Sequence, residues 1–158
     1  MAGVKSLPAM WPPVVGLKLL LIHADEFWWR VREEARGLRV RDEPEPESAR
    51  LTDVVVAFTA VEKCDEGALG EAVGKAADAI QEFSARIKCG KVVLYPYAHL
   101  STELARPEAA LRALKMLEDA LREKGLEVIR SPFGYYKEFL LHCKGHPLAE
   151  AFRDIRPT

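Results

Sequence analysis

The stretch "SPFGYYKEFLLHCKGH", residues 131–146, decides how the chain is read, because it sets a lysine among aromatic and apolar side chains. "SPFG" carries the proline and glycine of a turn, and Tyr135 to Cys143 then reads as a strand. Alternate residues of a strand share a face, so Tyr135, Lys137, Phe139, Leu141 and Cys143 point one way and Tyr136, Glu138, Leu140 and His142 the other. Lys137 therefore belongs to the more apolar face. A buried ammonium is costly, so this lysine either snorkels to water or meets a carboxylate or a ligand at a pocket mouth. The closing "HCKGH" brings His142, Cys143 and His146 close in sequence, which invites zinc. Consecutive strand residues diverge, however, so His142 and Cys143 do not share one tetrahedral ion, and no metal site is expected.

Working outward, "LEVIR" (126–130) supplies a strand before the turn, and two strands joined so tightly are expected to lie antiparallel. After Cys143 a short helix over Pro147 to Arg153 closes the chain. Upstream, Leu111, Leu114, Leu117 and Leu121 recur at helical steps behind Pro107, a first-turn proline, with Gly125 as terminator. "KVVLYPYAHL" gives a strand from Lys91 to Tyr95 stopped by Pro96. Leu69, Val73, Ala76, Ile80, Phe83 and Ile87 mark one face of a second long helix, ended by Cys89-Gly90. "DVVVAFTAVEK" (53–63) is a strand rich in β-branched residues, and Gly16 to His23 is the first strand. Between them, "ADEFWWRVREEARGL" (24–38) has the acidic start and glycine end of a short helix, and the charged, proline-bearing 39–53 reads as a solvated loop. The expected fold is α/β: a mixed β-sheet with two long helices packed on it. Residues 1–16, with three prolines in "LPAMWPPVV", form an irregular extension, and 17–158 a single domain.

The chain has 158 residues, 49% hydrophobic and 30% charged, with 23 Lys and Arg against 24 Asp and Glu. That balance describes a soluble globular protein and excludes a broad basic surface, so a nucleic-acid partner is gripped locally, while the cysteine usage fits a reducing cytoplasm. Arginines 30, 32, 36, 39 and 41 form the candidate patch, unless they are simply a solvated face. Cys64, Cys89 and Cys143 lack the even spacing of a disulfide scaffold, and no apolar run approaches the ~20 residues of a membrane span. His23 and His99 fall just beyond expected strands, where ligands of open α/β sheets gather, or else fill structural roles there. No phosphate-binding glycine loop and no G-x-S-x-G elbow is present.

Taken together, "LLIHAD", "VVVAFTAVEK", "YPYAHLSTELARP" and "SPFGYYKEFLLHCKGHPLAE", in that order, resemble the amino-terminal editing domain of archaeal threonyl-tRNA synthetases. The resemblance runs from about Leu17 to Arg153. It implies a D-aminoacyl-tRNA deacylase-like fold, a homodimer, and metal-free, cofactor-free hydrolysis of serine from the 3′ end of mischarged threonine tRNA. A synthetase catalytic subunit is a further implied partner, the chain being either a freestanding factor or a domain cut from a synthetase. By motif position the implied catalytic residues are Lys137, His99, Tyr136 and Glu150, the last holding the ammonium of Lys137 or the substrate amine. The implied pocket lining is Val61, Pro96, Tyr97, Ala98, Phe133, Gly134 and Tyr135. Tyr97 stands where the family pattern has phenylalanine. Two alternatives stay open: a D-aminoacyl-tRNA deacylase, and a module that binds aminoacyl-tRNA without cleaving it.

Overall fold

The computed structural model describes residues 16–156, so the expected N-terminal extension lies, apart from Gly16, outside the described residues. Six strands form one mixed sheet: β1 (Lys18–Glu34), β2 (Ser48–Ala60), β3 (Lys91–Pro96), β4 (Glu127–Arg130), β5 (Tyr135–Cys143) and β6 (Glu150–Asp154). Their order is β4-β3-β2-β1-β5, with β6 also paired to β1. β2, β3 and β4 run parallel to one another, whereas β1 is antiparallel to β2, β5 and β6. The two long helices are α1 (Leu69–Ile87) and α2 (Pro107–Glu123), which provide the crossovers that parallel pairs require. Leu19 and Leu21 of β1, Val55 and Ala57 of β2 and Leu94 of β3 meet Val73, Ile80, Phe83, Leu117 and Leu121 of the helices in the larger core.

The other face of the sheet packs on itself. Neighbouring strands are about 4.8 Å apart, so β3 and β5, separated by β2 and β1, would stand roughly 14 Å apart in a flat sheet. Instead the rings of Tyr95 and Phe139 have centroids 5.4 Å apart, and Phe27, Phe58 and Tyr97 join them. The sheet is curled around an aromatic core on its concave face, with the helices on the convex face.

Three expectations are corrected. Residues 24–34 are strand rather than helix, because β1 runs for 17 residues. Asp25 bulges from the β5 register between Ala24 and Glu26, so the concave-face residues pass from Ile22 and Ala24 to Phe27 and Trp29. That parity switch hides the alternation on which a strand is recognised. Asp53, opposite, has φ 50°, and β2 switches parity in the same place, from Leu51 to Val54. Second, β4 and β5 do not pair: β4 joins β3 at one edge of the sheet and β5 joins β1 at the other, so residues 131–134 cross the curl instead of turning a hairpin. Third, 150–154 is a strand, not helix, since it covers the half of β1 that β5 leaves free. The two long helices stand where their periodicity places them, α2 ending through Gly125 at φ 88°.

Candidate active site

A cleft of about 590 Å³ opens beyond the carboxyl ends of the parallel strands β2 and β3, where open α/β sheets bind ligands. Its walls come from Thr59, Ala60 and Val61 at the end of β2, Tyr95 to His99 at the end of β3, Leu104, Ala105, Pro107, Ala110 and Leu114 around the start of α2, and Pro132 to Lys137 with Phe139. Ala35 and Leu38, on the segment that leaves β1, complete it.

Lys137 is held among these walls by neutral groups. Its ammonium nitrogen donates to Ser131 Oγ and to the Pro132 carbonyl, each at 2.7 Å, and stands 4.2 Å from the centroid of the Tyr95 ring. Burial lowers its pKa to about 7, against the opposing charge of Asp42. An amine poised near neutrality can exchange a proton in either direction, which general acid–base catalysis requires. Ser131 is fully buried and does not line the cleft, so it anchors Lys137 and is not presented to a ligand.

Asp42 organises the surroundings. Its carboxylate accepts from the Phe133 N–H at 2.9 Å and pairs with Arg130, which also holds Glu118 at 2.7 Å, while its carbonyl accepts from the Tyr135 hydroxyl at 2.6 Å. Of the stretch 39–53 read as a solvated loop, residues 48–53 are part of β2, and the segment around Asp42 is anchored onto residues 131–135. Gly134, at φ 96°, lies so close to it that a Cβ there would come within 2.4 Å of Arg41 Cβ.

Opposite Lys137, the Tyr97 N–H donates to the Thr59 carbonyl at 2.8 Å, which turns the chain into a short 3-10 helix, Ala98–Leu100. The first N–H groups of such a turn have no partner within it, which leaves those of Ala98 and His99 available. The exposed His99 ring packs edge-on against Tyr97 with centroids 5.3 Å apart.

The structure thus brings together Val61, Pro96, Tyr97, Ala98, His99, Phe133, Gly134, Tyr135, Tyr136 and Lys137. It does not bring Glu150 to them. Glu150 on β6 faces Ile22 of β1 and Lys137 faces Val31, so about 30 Å of strand lies between them, and Ser131 with Pro132 takes the place of a carboxylate beside the ammonium. His23 sits within β1, not beyond its end, and away from the cleft. Sequence reading missed Tyr95 and Phe139, although Phe139 shares the face of Lys137, and it missed Ala35, Leu38 and Ser131. Of the arginines, Arg32 binds Glu138 at 2.9 Å and Arg41 the Leu38 carbonyl, while Arg36 and Arg39 are exposed on the segment that borders the cleft.

The mixed sheet with two long helices is a D-aminoacyl-tRNA deacylase-like fold. The chain is similar in fold to a probable eukaryotic D-amino acid tRNA deacylase, with a TM-score of 0.57, 15% identity, and coverage of 89% of this chain and 100% of that one. Residues 17–155 match the archaea-specific editing domain of threonyl-tRNA synthetase, and the chain belongs to that family. It is 48% identical to the threonine–tRNA ligase of Thermococcus gammatolerans, and 41% identical to that of Methanopyrus kandleri, in each case over 141 residues, 89% of this chain. The chain spans about a fifth, 22%, of the length of those relatives. No helix among the described residues is long and apolar enough to cross a membrane.

Proposed function

We propose that the chain edits aminoacyl-tRNA by hydrolysing the ester of L-serine mischarged on threonine tRNA. The observation that carries this reading is Lys137, held by Ser131 and Pro132 with a pKa near neutrality, in a cleft bordered on its other side by the Ala98 and His99 N–H groups. Serine is threonine without one methyl group, a difference worth only ~1–3 kcal/mol in a binding pocket, so a second site that accepts the smaller side chain is physically needed.

In the proposed reaction the neutral Lys137 amine takes a proton from a water as its oxygen attacks the ester carbonyl carbon. The Ala98 and His99 N–H groups stabilise the oxyanion. The carbon–oxygen bond to the ribose then breaks, and its electron pair stays on the ribose oxygen, which recovers the proton from the Lys137 ammonium. The neighbouring 2′-hydroxyl of the terminal adenosine helps place the water. His99 and Tyr136 shape the wall, and the exposed Arg36 and Arg39 meet tRNA phosphates at the rim.

The chain is also proposed to act as a homodimer. Leu148 and Phe152, 46% and 52% exposed, flank Glu150 with an uncovered apolar surface, which supports a dimer in which Glu150 of the partner subunit approaches the cleft. Mixing Lys137→Met with Glu150→Ala chains then restores part of the activity that each variant lacks.

The deciding experiment incubates the chain with L-seryl-, L-threonyl- and D-seryl-tRNA. Release of L-serine alone is expected. Cleavage of the D-seryl ester alone overturns the serine assignment in favour of chiral proofreading, and binding without turnover overturns the hydrolase reading.

A further inference from the structure

Away from the cleft, at the paired irregularity of β1 and β2, His23, Asp53 and Cys89 bring an imidazole nitrogen, a carboxylate oxygen and a thiol sulfur within 4.8 Å of one another. We propose that these three residues bind a zinc-class divalent transition ion, which ties the β1–β2 irregularity to the start of β3. Two of the three are buried, His23 at 6% and Cys89 at 5% exposure, so their donors are already held in place. Asp53 has the left-handed φ of 50°, a conformation that side-chain-bearing residues seldom adopt and that gathers at functional positions. About 20 Å of β2 separates Asp53 from Thr59 in the cleft, so the ion acts on the fold and not on the ester.

The chemistry of the set is selective. Thiolate, imidazole and carboxylate together suit zinc and cobalt, while an all-oxygen site would suit magnesium or calcium. Without an ion the tautomers form one chain. The Leu148 N–H donates to His146 Nδ1 at 3.2 Å, which leaves the His146 proton on Nε2, donated at 2.8 Å to His23 Nδ1. His23 Nε2 in turn donates to Asp53 Oδ1 at 2.8 Å. An ion takes His23 Nε2, and His23 then donates from Nδ1 to His146, the outer hydrogen bond that usually orients a metal-bound histidine. The cost is the long Leu148 bond. The ion also displaces the thiol proton of Cys89, which now donates to the Asp53 carbonyl at 3.3 Å. Opening the His23–Asp53 contact to the spacing of tetrahedral ligands takes about 0.5–1 Å, available because the Asp53 side chain is 65% exposed. The charges close: thiolate and carboxylate neutralise the ion, and Lys144, 3.7 Å from Asp53, is itself paired with Asp25 at 2.7 Å.

The test titrates Co²⁺ into chelator-treated, reduced protein. One equivalent is expected to produce a thiolate-to-cobalt charge-transfer band, lost in Cys89→Ser and kept in Cys64→Ser and Cys143→Ser. Asp53→Asn, at an exposed side chain that spares the fold, weakens cobalt binding by tenfold or more. Zn²⁺ displaces the band and raises Tm in the parent chain but not in Cys89→Ser. Absence of the band, or a band that follows Cys64 or Cys143, overturns the proposal.

Discussion

The Lys137 ammonium nitrogen stands 4.2 Å from the centroid of the Tyr95 ring, although β5 and β3, which carry these residues, are separated by two strands in the sheet. The curl that makes this contact also buries the lysine, and burial lowers its pKa to about 7. If the neutral amine accepts the proton of the attacking water, the single-turnover rate of serine release rises with pH through a midpoint near 7. Lys137→Met removes that midpoint and lowers the rate by about 10²–10³-fold, the scale of a lost catalytic group. A rate that falls through pH 7 would show that the ammonium form acts instead.

The same shift makes stability depend on pH. Between about 7 and 10.5 the unfolded chain keeps the Lys137 proton and the folded chain does not, so stability rises with pH across that window and is flat for this group below it. Lys137→Met abolishes the contribution. The stability of the variant relative to the parent is therefore expected to be more favourable at pH 6.5 than at pH 9 by roughly 2 kcal/mol, as read by urea unfolding at the two pH values. Equal differences at both would remove the titration from the account.

Ser131 lies 2.7 Å from the Lys137 nitrogen, the spacing of a serine–lysine catalytic pair, but its side chain is fully buried and off the cleft. Ser131→Ala is expected to cost less than about tenfold in rate, one hydrogen bond of roughly 1 kcal/mol, and to leave no covalent seryl-enzyme to trap. Loss of a thousandfold or more, with rescue by cysteine, would make Ser131 the nucleophile.

Asp42 holds the Phe133 N–H and Arg130, and its charge opposes the effect of burial on Lys137. Asp42→Asn keeps an acceptor for Phe133 but removes the charge. The pH midpoint of the reaction should move downward, and stability should fall by about 1–3 kcal/mol because Arg130 keeps only Glu118. An unmoved midpoint would separate Asp42 from the chemistry.

Gly134→Ala is predicted to destabilise the chain by about 2–4 kcal/mol, combining a left-handed φ of 96° with a Cβ 2.4 Å from Arg41 Cβ. Gly37→Ala is the matched control. Its φ is 81° but nothing lies within 4 Å, so only the conformational cost of about 1 kcal/mol applies, measured by the same unfolding curves.

Much of this was readable because the signals are local. Leu111 to Leu121 and Leu69 to Ile87 repeat at helical spacing, and Lys137 falls on the packed face of β5 by simple alternation. β1 was misread beyond His23 because the bulge at Asp25 exchanges the two faces in mid-strand, leaving "DEFWWRVREE" without a period. The meeting of Tyr95 with Phe139 is a consequence of sheet curl, which no neighbouring residue encodes. Glu150 could be placed by its motif but not in space, since its position depends on which half of β1 is already covered. Asp42 gave no signal at all: within a charged, proline-rich segment nothing marks the one carboxylate that folds back onto residues 130–135.

The length of β1 carries a last consequence, for the order of folding. Lys137 is registered against Val31, 106 positions earlier in the chain, and Phe139 reaches Tyr95 only once that pairing exists. Loop closure on that scale is among the slower steps available to a small domain. The two helices and the β2–β3–β4 ladder draw on nearer contacts and can assemble beforehand. A largely folded chain therefore still lacks the wall that Lys137 and Phe139 give the cleft, and the cleft is completed with the closing of the seam between β1 and β5.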